Sequence, residues 1–89
     1  MYNLLKQKKY NMENIIKTND KLENWSLTKF RELPNLDENQ NITSEDCYNP
    51  VLYNYDKHWI LNWVNFREGD SILLFAEDSI YEVVKKAYE

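Results

Sequence analysis

The fold of this chain depends mainly on two nearby stretches, His58-Trp-Ile-Leu-Asn-Trp-Val64 and Ser71-Ile-Leu-Leu-Phe-Ala76. Both are runs of β-branched and aromatic residues with the length of strands. Between them lies Arg67-Glu-Gly-Asp70, whose glycine, Gly69, can take the positive φ that a hairpin turn needs. The sequence therefore predicts an antiparallel pair of strands.

A third strand is predicted just before this pair. The run Val51-Leu-Tyr-Asn-Tyr55 has the same character, and Asp56-Lys57 can form a tight turn between it and His58. Connections this short join antiparallel neighbours. The three strands should therefore form an antiparallel β-meander.

Both faces of this predicted sheet are apolar. Side chains alternate between the faces of a strand, so one face carries Trp59, Leu61 and Trp63. The opposite face carries Ile60, Val64 and Phe66. We expect the tryptophan face to form the core against the helices, although its aromatic side chains could instead stack on bases or contact a protein partner. The second face then needs a cover of its own.

Two helices are predicted before the meander. Residues 3–23 carry apolar side chains at a helical period, and Asn11 can cap a second piece if the helix is interrupted there. A second, shorter helix starts with Ser26 as N-cap and ends before Pro34. The sequence thus predicts a pair of N-terminal helices.

The remaining segments are a polar connector and a C-terminal helix. Residues 34–50 begin and end with proline and are rich in Asn, Asp and Glu, as connectors are. Ser79-Ile-Tyr-Glu82 is a capping box that opens a helix over residues 80–88. The chain is accordingly predicted to be one α+β domain, residues 1–89, with two N-terminal helices, a three-stranded antiparallel meander and a C-terminal helix.

Charge is divided sharply along the chain. Residues 1–31 carry seven basic and three acidic side chains, a net +4, whereas residues 32–89 carry four basic and twelve acidic ones, a net −8. Such an asymmetry affects which charged partners the protein attracts, and it does not indicate a fold. The N-terminal lysines could contact nucleic acid or an anionic membrane, or they could be the solvated face of an amphipathic helix.

Nine acidic residues, all negatively charged, are the main candidate binding residues. They could imitate nucleic-acid phosphates or meet a basic groove, or they could be loop residues that keep the protein hydrated. Two tyrosines of the first strand join them as candidates. The predicted partner-binding residues are Asp37, Glu38, Glu45, Asp46, Asp56, Glu68, Asp70, Glu77, Asp78, Tyr53 and Tyr55.

The sequence offers little for catalysis or for a cofactor. Cys47 and His58 are the sole residues of their types, which excludes a disulfide within the chain and any Cys- or His-based metal cluster. A Cys47/His58 nucleophilic pair is conceivable, but no known nucleophile context surrounds Cys47. One glycine cannot build a phosphate-binding loop. We expect no enzyme activity, no cofactor and no metal.

One local stretch resembles a known family. Phe66-Arg-Glu-Gly-Asp70, Ser71-Ile-Leu-Leu-Phe75 and Ile80-Tyr-Glu-Val-Val-Lys-Lys-Ala-Tyr88 resemble part of the PUA-like EVE domains. That resemblance covers under a quarter of the chain and implies a nucleic-acid-binding module. It also implies that residues 80–88 form a strand rather than a helix.

The predicted function is that of a small acidic protein–protein interaction module. Its partner would be a protein with a basic surface, and neither direct nucleic-acid binding nor a membrane is expected. Abundant Asn, Lys, Tyr and Ile are typical of AT-rich genomes, so we expect a phage or mobile-element inhibitor of host defence (anti-CRISPR-like) or of another nucleic-acid-binding machine, acting in the host cytoplasm. The alternatives are a PUA/EVE-like nucleic-acid-binding module and an immunity or antitoxin protein.

Overall fold

The computed structural model describes residues 12–89, with side chains from residue 21 onward. The elements in chain order are α1 (Met12–Arg31), β1 (Asn35–Leu36), β2 (Ile42–Thr43), β3 (Asn49–Tyr55), β4 (His58–Asn65), β5 (Asp70–Glu77) and α2 (Ile80–Ala87). The strands form two sheets, β1-β2 and β3-β4-β5, and every pairing is antiparallel.

The predicted meander is confirmed, and its two turns explain its register. Asp56 and Lys57 both adopt positive φ, 52° and 68°, which is the conformation of a two-residue hairpin turn, and Tyr55 consequently pairs with His58. At the other end Gly69 has φ 78°, and its N–H donates to the Asn65 carbonyl at 2.7 Å. Asn65 there pairs with Asp70.

The tryptophan face of the meander forms the core, as predicted. Leu61 is fully buried in the middle of β4, and Trp63 is 3% exposed beside it. Val83 and Val84 of α2 are fully buried in the same cluster, against which Trp59 also packs. The Trp63 indole N–H donates to the Pro34 carbonyl at 2.9 Å, so this large ring has a partner for its polar atom.

The predicted pair of N-terminal helices is wrong. A single helix, α1, runs through Ser26, which is fully buried, and the Ser26 hydroxyl donates to the Leu22 carbonyl one turn earlier. A serine hydroxyl can cap a helix or bond back to the preceding turn, and here it does the second. The predicted helical residues 3–11, including the Asn11 cap, lie outside the described residues.

The predicted connector over residues 34–50 contains regular structure. Asn35 pairs with Thr43 and Leu36 with Ile42, which forms the second sheet. Leu36 also exchanges two backbone hydrogen bonds with Tyr48, at 2.9 and 3.0 Å, and both residues are buried. Two-residue strands are too short to show alternation in a sequence, so the pattern did not reveal them.

The C-terminal helix is confirmed, and the strand that the EVE resemblance implies is absent from this segment. The Ser79 hydroxyl accepts a hydrogen bond from the Glu82 N–H at 3.1 Å, as an N-cap does, and Ile80 starts the helix. Residues 80–87 are helical, with Ile80, Val83 and Val84 buried on the face that meets the sheet. The capping signal therefore outweighs the β-branched Val-Val pair.

Candidate functional site

Five of the predicted carboxylates line one concavity at the end of the meander where β4 turns into β5. Its cavity volume is about 620 Å³, and over residues 21–89 no lysine or arginine lines it. We call it the acidic groove. Its lining residues are Asp37, Glu38, Asn39, Glu45, Cys47, Tyr48, Asn65, Glu68 and Asp70.

One wall of the acidic groove is the turn between β1 and β2. An oxygen of the Asp37 carboxylate accepts from the backbone N–H groups of Asn39 and Asn41, both at 2.9 Å. This is the side-chain bonding by which Asp favours turns. It leaves Glu38 exposed at the tip of the turn, while Thr43 accepts from the Glu45 N–H at 3.1 Å and fixes the backbone there.

The other wall is the turn between β4 and β5. The Asn65 side-chain oxygen accepts from the backbone N–H groups of Arg67 and Glu68, both at 3.0 Å. Together with the positive φ of Gly69, these bonds fix the position of Glu68 at the rim. An Asn at the start of a turn is a recognisable signal, so Asn65 is a groove residue that the sequence could have revealed.

Tyr48 joins the two walls. It is buried, and its hydroxyl donates to an Asp70 carboxylate oxygen at 2.9 Å. The hydrogen bond to Asp70 raises the pKa of Tyr48 above its ordinary value, and burial and the negative charges of Asp70 and Glu38 add to the shift. Sequence reasoning missed Tyr48, because its partner lies 22 residues away along the chain.

The other four predicted carboxylates lie outside the acidic groove. Asp46 lies next to it and accepts from the Asn49 side chain at 2.8 Å. Asp56, Glu77 and Asp78 lie at the opposite end of the meander, separated from the groove by β4, whose eight residues span about 23 Å at about 3.3 Å per residue. The nine carboxylates therefore do not form one surface.

Two of the three distant carboxylates, Glu77 and Asp78, have side-chain partners of their own. Lys86 donates to Glu77 at 2.6 Å, a contact that raises the pKa of Lys86. The His58 ring nitrogen Nδ1 lies 3.0 Å from an Asp78 carboxylate oxygen. Among residues 21–89, none of the five groove carboxylates forms such an ion pair.

The candidate tyrosines Tyr53 and Tyr55 also lie apart from the groove. They belong to the sheet face opposite the core, which we call the outer face, and are 39% and 68% exposed. Both helices contribute side chains to the core cluster on the other side, so no described element covers the outer face. Asn62 at its centre is 8% exposed, and its side-chain oxygen has no hydrogen-bond partner among the described residues.

Cys47 and His58 do not form the nucleophilic pair that the sequence left open. Half-buried Cys47 lines the groove, whereas His58 lies at the opposite end of β4. Over residues 21–89, no three His, Cys, Asp or Glu side chains are grouped so that they could hold a metal ion. The N-terminal lysines Lys6, Lys8, Lys9 and Lys17 lie outside the described side chains.

Comparison with protein-family models, curated proteins and solved structures finds no match to this chain. Neither of the two described helices has the length and apolar character needed to cross a membrane.

Proposed function

We propose that this protein is an interaction module that binds a basic protein surface through its acidic groove. The observation that carries the proposal is the lining of that groove, to which the described side chains contribute five carboxylates and no lysine or arginine. A concave surface of one sign focuses its electric field and attracts a partner of opposite sign over several ångströms of solvent. The groove therefore supplies both a shape and a charge that a basic partner can match.

The groove also suits binding because its walls are fixed before a partner arrives. Asp37 and Asn65 each accept two backbone hydrogen bonds, and Tyr48 bridges to Asp70. A surface that is already ordered loses little conformational entropy on association. Glu38, Glu45 and Glu68 remain exposed on these fixed walls, where a lysine or arginine of a partner can reach them.

Basic surfaces of proteins commonly serve to bind nucleic-acid phosphate. Occupying such a surface would block that use, so we propose the role of an inhibitor of a host defence or another nucleic-acid-binding machine, encoded by a phage or mobile element and acting in the host cytoplasm. An immunity or antitoxin protein would use the same groove against a different basic partner. The helical state of residues 80–87 removes support from the EVE-like alternative.

The test compares two double charge reversals with equal changes in net charge. Glu45→Lys/Glu68→Lys alters two exposed groove carboxylates, and Glu32→Lys/Glu89→Lys alters two exposed carboxylates outside the groove. A partner captured from host lysate is identified by mass spectrometry, and its association is measured by surface plasmon resonance. We expect the groove variant to associate at least about tenfold more slowly and the control to stay close to wild type.

Two further measurements complete this test: the association rate at increasing salt concentration, and a gel shift with free nucleic acid. Association through exposed charges should slow as salt rises, because the Debye length falls from about 30 Å at 0.01 M to about 8 Å at physiological ionic strength. A gel shift with duplex DNA or RNA alone should show no complex. Equal loss of association in both charge reversals, or tight salt-sensitive binding to free nucleic acid, would contradict the proposal.

A further inference from the structure

A second concavity lies at the other end of the meander, between the two helices and β4. Its cavity volume is about 500 Å³, within the range of small-ligand pockets. We call it the hairpin-end cleft. Its lining includes Glu23 of α1, Trp59 of β4, and Asp78, Ile80, Tyr81 and Glu82 at the start of α2.

The chemistry of this cleft differs from that of the acidic groove. Three carboxylates, Glu23, Asp78 and Glu82, share it with two aromatic rings, Trp59 and Tyr81, and among residues 21–89 no lysine or arginine lines it. Carboxylates select a cation, and aromatic faces favour a planar, weakly hydrated one that can stack. Guanidinium meets both demands, whereas an ammonium group is compact and strongly hydrated.

We propose that the hairpin-end cleft binds an arginine side chain presented by a polypeptide. The carboxylates would accept hydrogen bonds from the guanidinium group, with Asp78 using the oxygen that does not contact His58 Nδ1, and the ring of Trp59 would contact the flat face of the guanidinium. The Tyr81 ring already has a cation beside it, since the Nζ of Lys85, one turn further along the same helix, lies 5.6 Å from the centre of the ring. With Lys85 placed there, Trp59 is the aromatic surface offered to the incoming arginine.

The walls of the cleft are held in place by contacts within the protein. Ser79 accepts from the Glu82 N–H at 3.1 Å, which fixes a turn whose four residues, 79–82, all line the cleft. The rings of Tyr81 and Trp25 pack with their centres 5.5 Å apart, at an interplanar angle of 52°. Such order before binding lowers the entropic cost of accepting a ligand.

This inference does not depend on the proposed function of the acidic groove. The two concavities share none of the lining residues that the structure describes, and they lie at opposite ends of β4. An arginine in one cannot reach the carboxylates of the other, so each site can fail by itself.

The experiment titrates the ¹⁵N-labelled 89-residue chain with a blocked tripeptide, acetyl-Gly-Arg-Gly-amide, and with its citrulline counterpart. Citrulline keeps the shape of arginine but carries no charge. NMR spectra should show saturable shifts of the Trp59 indole N–H and of the amides of residues 79–82, with a Kd on the order of 1 mM for arginine. The citrulline peptide should leave these signals in place.

Paired variants assign the effect to the cleft. Asp78→Asn/Glu82→Gln should weaken arginine binding at these signals about tenfold, as expected for lost charge-assisted hydrogen bonds. Glu45→Gln/Glu68→Gln in the acidic groove removes the same charge and should leave the cleft affinity unchanged. The inference is overturned by equal shifts with citrulline, by shifts confined to the groove, or by equal weakening in both variants. The wild-type comparison of the two peptides decides the matter even if a variant does not fold.

Discussion

The two ends of the meander carry acidic concavities that differ in what surrounds the charge. In the acidic groove the carboxylates stand among polar side chains and one buried tyrosine, and the described residues offer them no ion pair. At the hairpin end the carboxylates stand beside aromatic rings, one of them, Asp78, contacts His58, and the nearby Glu77 contacts Lys86. Charge alone favours fast, salt-sensitive attraction, whereas charge beside an aromatic ring favours recognition of one kind of cation.

The largest effect is expected where the two ends are joined. Leu61 is fully buried in the middle of β4, and Leu61→Ala should cost about 2–5 kcal/mol through lost burial and a cavity. Chemical denaturation would measure the loss. Probes at both ends should report the same midpoint, because we predict that the chain is one domain and a small domain unfolds as one unit. Separate midpoints would show that the two ends of the meander unfold independently of each other.

A second substitution alters the hairpin end of the meander alone. Ser79→Ala removes the hydroxyl that accepts from the Glu82 N–H, and loss of such a cap costs about 0.5–2 kcal/mol. Thermal unfolding followed by circular dichroism would measure it. Amide chemical-shift changes should concentrate in residues 78–83 and be small at Glu45 and Glu68. Large shifts in the acidic groove would mean that the two concavities are coupled.

The turn between β3 and β4 permits a stabilising change. Lys57 has φ 68°, in the left-handed region that costs a non-glycine residue energy, and Asp-Gly is a favoured pair for this two-residue turn. Lys57→Gly should therefore stabilise the fold by about 0.5–1 kcal/mol, measured by urea denaturation. The matched substitution Lys85→Gly, inside α2, should destabilise it. A loss of stability in Lys57→Gly would show that the lysine contributes contacts that outweigh its backbone strain.

The smallest effect concerns alkaline pH. The hydrogen bond to Asp70 raises the pKa of Tyr48 at the groove, and the contact with Glu77 raises the pKa of Lys86 at the other end. A raised folded-state pKa means that stability is fully present below the ordinary value, near pH 10, and is lost as pH rises through the folded-state pKa. Denaturation midpoints should thus fall above about pH 10.

A variant separates the contributions of the two ends. Tyr48→Phe cannot titrate at this position, so its decline at alkaline pH should be shallower than that of the wild type, with the remaining decline including Lys86. The same series of urea midpoints, measured on both proteins across pH, provides the comparison. Equal slopes would mean that Tyr48 does not contribute to the alkaline loss.

The strands were predictable because their signals are local. Trp59 and Trp63 share a face by alternation, Asp56 and Gly69 mark turns, and Ser79 caps a helix within three residues of its partner. Ser26 was misread because a serine hydroxyl can bond forward as a cap or back to the preceding turn, and its complete burial inside a continuous helix is a tertiary fact.

The candidate site was predictable in composition but not in arrangement. The sequence identified the carboxylates, yet their division between two ends depends on strand register and on which turns meet. Tyr48, which unites the walls of the acidic groove, carries no sign of its distant partner Asp70. Likewise, β1 and β2 depend on the burial of Leu36 beside Tyr48, with which it forms a β-bridge. A pattern of two residues is too short to predict such strands.

The hydrogen bond from the Tyr88 hydroxyl to the Lys29 carbonyl, 2.7 Å long, joins residues 59 positions apart. Forming a contact between such distant positions closes a long loop, which costs much chain entropy. The two hairpins of the meander close only short loops. In kinetic terms, the meander is therefore the part of this chain best placed to form its contacts in the folding transition state, with the docking of α1 against α2 completing the fold. Mutations at the contact between α1 and α2 should then speed unfolding more than they slow folding.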